Sequence, residues 1–359
     1  VIPSDHPPVP GPKTGVLLIN LGTPDGTSYW PMRRYLKEFL SDKRVIETPS
    51  IIWKPLLNLV ILTTRPSKSG EAYASIWDQE TNESPLRRIT REQTEKLAER
   101  LKVLGDNVVV DWGMRYGNPS IKSRLEALKN QGCDRILLMA LYPQYAAPTM
   151  ATAYDKAFDA LKEMRWQPAI RTLPPYHDDP VFIDAICDSL TRHIDEQGWE
   201  PEVIVSSFHG LPKKYLIKGD PYHCQCHKTA RLMREKLGMD KDKLMTTFQS
   251  RFGPEEWLQP YTDETIEELA KKGIKKLMVI TPGFSADCVE TLEEIAIEGK
   301  EIFEEHGGTH YSVVPCLNQS EPSIDLLAHL TRRELAGWVP AEALDQVPAG
   351  QVPVKQAAE

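Results

Sequence analysis

His209 and a row of acids further along the chain are the residues best placed to do chemistry. The imidazole follows an apolar, β-rich run at 203–208 and is followed at once by Gly210, Leu211 and Pro212. Such a run stopped by Gly and Pro reads as a strand entering a loop, which places His209 at the carboxyl end of that strand. Ligands of open parallel sheets bind at that edge. An unperturbed imidazole, with a pKa of about 6.5, takes or gives a proton near neutrality. A strand-end histidine satisfied by a backbone carbonyl is the plainer alternative.

Asp287, Glu290, Glu294 and Glu298 form the second feature. The last three are four apart on a helix predicted over 287–305, so they crowd one face. Like charges at that spacing repel by roughly 0.2–0.5 kcal/mol per pair, and an enclosed row calls for a cation or a proton. An ordinary helix turns such a row by about 40° per step, whereas a local π-turn would bring it into line. Against this stands a structural reading: Asp287-x-x-Glu290 has the form of a capping box, and acids favour a helix N-terminus. His209 and Glu290 each lie just past a predicted strand of the same half and so can face one cleft. Imidazole and carboxylates together suit a hard or borderline divalent cation. No closed set of four ligands is visible, which suggests a metal in transit and leaves His209 free to act as a base.

The elements that position these groups follow from alternation. A continuous apolar run at 15–22 predicts a buried strand, and 28–40 has helical spacing. Strands then alternate with helices from 86 to 173, and again from 181 to 315 after Pro174 and Pro175. Such βαβ alternation predicts an α/β protein of two similar halves, each a parallel sheet flanked by helices, with a cleft between them. Arg115-Tyr116-Gly117 and Arg251-Phe252-Gly253 each precede a helix, a glycine turn and an apolar strand, a faint echo of repetition. The predicted organisation is a flexible leader at 1–13, a first half at 14–175 joined by a C-terminal helix at about 321–338, a second half at 176–320, and a disordered tail at 339–359.

Composition narrows the class. With 41% hydrophobic and 26% charged residues the chain reads as globular and soluble, and its net charge of -8 argues against nucleic acid as a partner. Six scattered cysteines suit a reduced, cytoplasmic location. No apolar run is long enough to span a membrane. The segment at 49–62, PSIIWKPLLNLVIL, is strongly apolar and carries two prolines. It is either a buried connection or an exposed lip, with Trp53, Leu56, Leu57 and Leu59, that touches a membrane or admits an apolar ligand. Cys224 and Cys226, flanked by His223 and His227, are a weak metal signal with poor geometry for a structural site.

Six motifs occur in order and in register: LINLGTP, MRYGNP, LYPQY, SSFHGLP with GDPY, FQSRFGPEEWLQP, and DCVETLEE. Together they resemble the ferrochelatase family from about 15 to about 338. The resemblance implies a Rossmann-like, chelatase-type fold around a porphyrin cleft, and insertion of Fe2+ into protoporphyrin IX to give protohaem. It makes His209 the base for pyrrole protons or a metal contact, Glu290 its partner with Asp287 beside it, and Glu294 and Glu298 part of an acidic path. Leu21, Arg115, Tyr116, Tyr142 and Trp257 fall in motifs that border the macrocycle, though for the aromatics plain core packing is the alternative. The 49–62 segment corresponds to the entrance lip, with peripheral membrane contact.

Departures matter as well. Animal members of the family hold an iron-sulfur cluster through a cysteine after the YPQY motif and three near the C-terminus. Here the matching internal position is Ala147 and no cysteine follows Cys316. No obligatory cofactor is expected, iron being a substrate. Cys288 stands where some members have histidine, which puts an accessory metal site beside Glu290 in doubt. Two alternatives stay open: a chelatase for another tetrapyrrole, of the coproporphyrin or cobalt/nickel type, and a non-catalytic haem or porphyrin carrier.

Overall fold

A computed structural model describes residues 3, 5, 6 and 12–348. The first sheet is built from β1 (Lys13–Thr23), β2 (Val108–Gly117), β3 (Cys133–Ala140) and β4 (Ala169–Thr172), in the order β2-β1-β3-β4. The second contains β5 (Val203–His209), β6 (Leu244–Gln249), β7 (Lys276–Ile280) and β8 (His310–Val313), in the order β6-β5-β7-β8. Every strand pair is parallel. The two halves therefore repeat one topology.

The helices are α1 (Tyr29–Leu40), α2 (Ser50–Leu56), α3 (Leu62–Ser75), α4 (Pro85–Arg100), α5 (Ile121–Asn130), α6 (Thr152–Lys162) and α7 (Pro180–Gln197). They continue with α8 (Lys213–Ile217), α9 (Tyr222–Leu237), α10 (Thr262–Lys271), α11 (Gly299–Glu305), α12 (Glu321–Leu335) and α13 (Ala341–Leu344). Among the described residues three π-helical stretches interrupt them, at Leu57–Ile61, Ala147–Ala151 and Glu290–Glu298.

Period-two alternation in β1 explains the layering. Val16 and Leu18 point to one face and Leu17 and Ile19 to the other, and all four are wholly buried. Burying each such side chain stabilises the fold by about 1.5–3 kcal/mol. Val16 and Leu18 join a core with Ile186 of α7, Leu327 of α12 and Met278 of the second sheet. Leu17 and Ile19 instead pack with Leu125 of α5 and Ala157 of α6. One core is thus shared by both sheets through α4, α7 and α12.

The apolar segment at 49–62 is helical from Ser50 and continues through α3, with Pro55 and Pro66 both accommodated inside the run. A proline removes one backbone donor and crowds the preceding turn, and here the wider turn at 57–61 begins two residues after Pro55. The start of the expected disordered tail is ordered instead: α13 docks with Leu344 and Val347 buried against the shared core. Apolar side chains at the spacing of one helical turn gave it a face to bury. Residues 349–359, and most of the leader at 1–13, lie outside the described residues.

Candidate active site

His209 is the last residue of β5, paired in register with Gln249 at the end of β6. Its Nδ1 lies 2.7 Å from the carbonyl oxygen of Gly210. A carbonyl only accepts, so Nδ1 carries a proton, and in the neutral tautomer it is Nε2 that holds the free lone pair. Loop geometry keeps the ring there. The Gly210 N–H donates to the Gln249 carbonyl at 2.7 Å, and a Cβ on Gly210 would stand 2.7 Å from that same oxygen and 3.2 Å from Trp257 Cε3. Trp257 is buried against Phe252, and its neighbour Leu258 donates its N–H to the Leu211 carbonyl at 2.9 Å.

The acids sit on the π-helical stretch Glu290–Glu298, so the π geometry considered from their spacing is present. Exposure rises along the chain: Asp287 is buried, Glu290, Glu293 and Glu294 are half-buried, and Glu298 is exposed. The wide turn also brings residues five apart together. Burial raises the pKa of Glu293, and Glu298 and Glu294 push it further, against Lys68 of α3. Glu293 is a member of the acidic group that four-residue spacing alone missed.

Glu294 is the most tightly held of the row. The Ser250 N–H donates to its Oε1 at 2.7 Å, the Ser250 hydroxyl donates to Oε2, and Gln249 Nε2 approaches Oε2 at 3.4 Å. Ser250 adopts φ +66°, a left-handed conformation rare for a residue with a side chain. Burial raises Glu294's pKa, the Ser250 donors and His209 pull it back, and Glu290 pushes it up. His209 and the carboxylate row therefore share one electrostatic environment.

Glu290 faces outward from the second half. Burial raises the pKa of Cys288, and Glu290 raises it further by charge and by hydrogen bonding to the thiol. Across the cleft, burial raises Tyr35 and Tyr73, and Glu290 adds to both. These two tyrosines of α1 and α3 were not picked out from the sequence. Asp287 behaves differently: its carboxylate accepts from Asn318 Nδ2 at 2.6 Å, Thr291 Oγ1 at 2.9 Å and the Cys316 N–H at 3.3 Å. It fixes the loop that enters the π-helix, and Gln93 of α4 braces that loop through the Ser285 and Asn318 carbonyls. Among the described residues no three His, Cys, Asp or Glu side chains lie together as a metal cage.

The residues expected along the macrocycle divide. Tyr142 is half-buried, and its hydroxyl has no partner among the described residues. Leu21 is half-buried between Leu86 and Ile89 of one half and Ala286 and Cys288 of the other. Tyr116 is instead wholly buried and donates to Asp42 Oδ2 at 2.8 Å. Arg115 pairs with the same carboxylate, donates through Nε to Thr152 Oγ1 at 2.7 Å, and stacks 4.2 Å from the Tyr116 ring centroid. Those two side chains lock the base of the lip to β2 and α6. In this structure Asp42 supplies the buried counter-charge for Arg115 and accepts from the Tyr116 hydroxyl, so both side chains have a positioning role.

Sequence comparison decides the family. A family model described as ferrochelatase matches residues 13–335. The chain belongs to the ferrochelatase family. The ferrochelatase of Allorhizobium ampelinum is 61% identical over 338 residues, covering 94% of this chain and 98% of that one. The ferrochelatase of Agrobacterium fabrum is 59% identical, with the same coverage. Among solved structures, SirB from Bacillus subtilis with Fe3+ has a TM-score of 0.53 at 13% identity, covering 93% of this chain and 98% of that one. The sirohydrochlorin chelatase SirB from Bacillus subtilis subspecies spizizenii, in complex with cobalt, has a TM-score of 0.51 at 12% identity, covering 90% and 96%. At such identity the likeness is one of fold, and the fold of this ferrochelatase-family chain is of the chelatase type.

The lip of this family member is apolar and open to solvent. Ile51 is 84% and Leu59 74% exposed, with Ile52, Leu56 and Val60 beside them. Trp53 and Leu57, also expected there, turn inward: the Trp53 indole donates to the Leu40 carbonyl at 2.6 Å, and Leu57 is buried among Met32 and Leu36. No described helix is long and apolar enough to cross a membrane.

Proposed function

We propose that this chain inserts Fe2+ into protoporphyrin IX, completing haem formation, with His209 as the base. One observation carries the assignment of roles: the Gly210 carbonyl holds the Nδ1 proton and so leaves Nε2 as a lone pair at the strand edge, beside the carboxylates of the π-helix. Insertion must remove two pyrrole protons, and a planar ring hides its nitrogens. A cleft that bends the ring exposes them, at a strain of about 1–5 kcal/mol supplied by binding of the remote apolar surface.

His209 Nε2 takes a pyrrole proton directly, and Glu294 beside it is suited to receive that proton because burial favours its neutral form. Glu290, Glu293 and Glu298 extend the path outward, carrying a proton away or drawing the divalent ion in. Tyr142 and Leu21 border the macrocycle. The exposed lip meets a membrane surface peripherally and receives the apolar substrate from it, and the remainder of the protein stays in the cytoplasm. Iron is a substrate in this reaction, which calls for no resident cofactor.

The test is anaerobic metal insertion, followed by loss of the free-base porphyrin bands. Turnover in the wild type should fall about 10²–10⁴-fold in His209→Ala while porphyrin binding persists. Unchanged turnover in the variant would remove His209 from the base role. Faster use of coproporphyrin than protoporphyrin would reassign the substrate.

A further inference from the structure

The HCQCH run at 223–227 has no part in the cleft chemistry above, and α9 sorts its side chains in an informative way. Cys226 is fully buried, Cys224 is exposed, and His223 stacks on Phe248 with ring centroids 5.8 Å apart. Gln225, the middle residue, reaches across to the other half. Its Oε1 accepts from the Tyr145 N–H at 2.7 Å. Two neighbours act alike. Asp220, at the entry to α9, accepts from the Ala147 N–H through Oδ2 at 2.8 Å and from the Tyr222 N–H through Oδ1 at 3.0 Å. Thr229, one turn beyond Gln225, accepts from Gln144 Nε2 at 3.1 Å and donates to the His177 carbonyl at 2.8 Å.

These contacts grip residues 144–147, the loop that runs on from Tyr142 just past the end of β3. The loop belongs to the first half, yet Ala146 is buried among Phe208, Leu211, Tyr222 and Cys226 of the second. Phe208 precedes His209 in β5, and the Tyr222 hydroxyl is hydrogen-bonded to the His209 backbone. The chain from Tyr142 to Ala147 is thus anchored to the same packing that carries His209. A loop leaving a strand is ordinarily the loosest part of a sheet edge. Here the Tyr145 and Ala147 N–H groups, which would otherwise need water, find side-chain acceptors in the opposite half.

We propose that Asp220 and Gln225 are positioning residues for metal insertion: they fix the spacing between the Tyr142 wall of the cleft and the His209 wall, and so the strain placed on a bound porphyrin. This inference rests on the function proposed above. Bending a flat ring needs two walls that do not yield, and these walls come from different halves. Removing either acceptor leaves a half-buried N–H without its partner, and the loop must shift to hydrate it. A wall that gives way relieves the ring. Binding then survives or tightens while the chemical step slows, because the strain was drawn from the binding free energy.

Gln225→Leu, Gln225→Glu, Asp220→Ala and Cys224→Ser separate spacing from packing. Metal insertion is followed by loss of the free-base bands, and the out-of-plane resonance Raman bands of bound protoporphyrin IX report ring bending without turnover. Gln225→Leu and Asp220→Ala should each lower kcat at least about tenfold, with KM equal to or below the wild-type value, and weaken the out-of-plane bands. Gln225→Glu keeps an oxygen for the Tyr145 N–H and should hold both readings within about twofold of the wild type. Cys224→Ser, exposed on the same turn, should change neither. Equal losses in Gln225→Leu and Gln225→Glu would overturn the proposal, and so would wild-type bands in both Gln225→Leu and Asp220→Ala. If Asp220→Ala does not fold, the two Gln225 variants carry the test. A wild type that bends the ring but inserts no metal, with bands that still weaken in Gln225→Leu, would sink the reading of the cleft reaction and keep the positioning role.

Discussion

Glu294 carries a thermodynamic signature that separates it from its neighbours in the row. Its pKa is raised by burial above the ordinary value of 4.5, although the Ser250 donors and His209 oppose the rise. The folded protein therefore holds that proton more tightly than the unfolded chain does. The resulting stability is fully present below pH 4.5 and is lost as pH climbs through the raised folded value. Glu294→Gln removes the titration, so the fall of melting temperature with pH above 4.5 should flatten in the variant, as measured by calorimetry. Equal slopes in both proteins would show that Glu294 titrates as an exposed glutamate. His209 stood out in the sequence because it closes an apolar run stopped by Gly and Pro, and Glu290 because it heads a row of acids four residues apart. Ser250 did not, since its importance lies in a left-handed φ and two donors aimed at a residue forty-four positions away.

At the level of the element, the loop Gly210-Leu211-Pro212 and the π-helix are the parts that turn a common sheet edge into a site. Gly210 has no room for a side chain because the Gln249 carbonyl would lie 2.7 Å from its Cβ. Gly210→Ala should force β5 and β6 apart at their ends, costing about 1–3 kcal/mol of stability. It should also lower kcat by moving the His209 ring that the same loop orients. A variant with wild-type kcat and melting temperature would show the loop to be slack. Strand and helix alternation was readable from 86 onward because each strand is an apolar run and each helix has one buried face. That the run at 50–75 is helical was not legible, because a chain that widens a turn beside a proline leaves no mark in hydrophobic periodicity. The positioning role of Arg115 and Tyr116 was not legible, because their partner Asp42 is far away in sequence and only the fold reveals the contact.

On the scale of the whole molecule, two sheets of equivalent strand order share a core, and apolar surface is left over on the helical run that begins at Ser50. Ile51, Ile52, Leu56, Leu59 and Val60 expose that surface together, on a protein whose net charge of -8 makes attraction to an anionic membrane unfavourable. The membrane contact proposed above would then come from apolar burial, with each aliphatic side chain contributing at most about 1.5–3 kcal/mol. The triple variant Ile51→Ser, Ile52→Ser, Leu59→Ser should lose at least about tenfold in partition onto neutral phosphatidylcholine vesicles, while its melting temperature stays unchanged because none of the three is buried. Use of porphyrin dissolved in detergent should survive in the variant, and use of porphyrin delivered from vesicles should fall. Equal delivery from vesicles in variant and wild type would mean that the lip guides the ligand inside the cleft and has no part in taking it from a membrane.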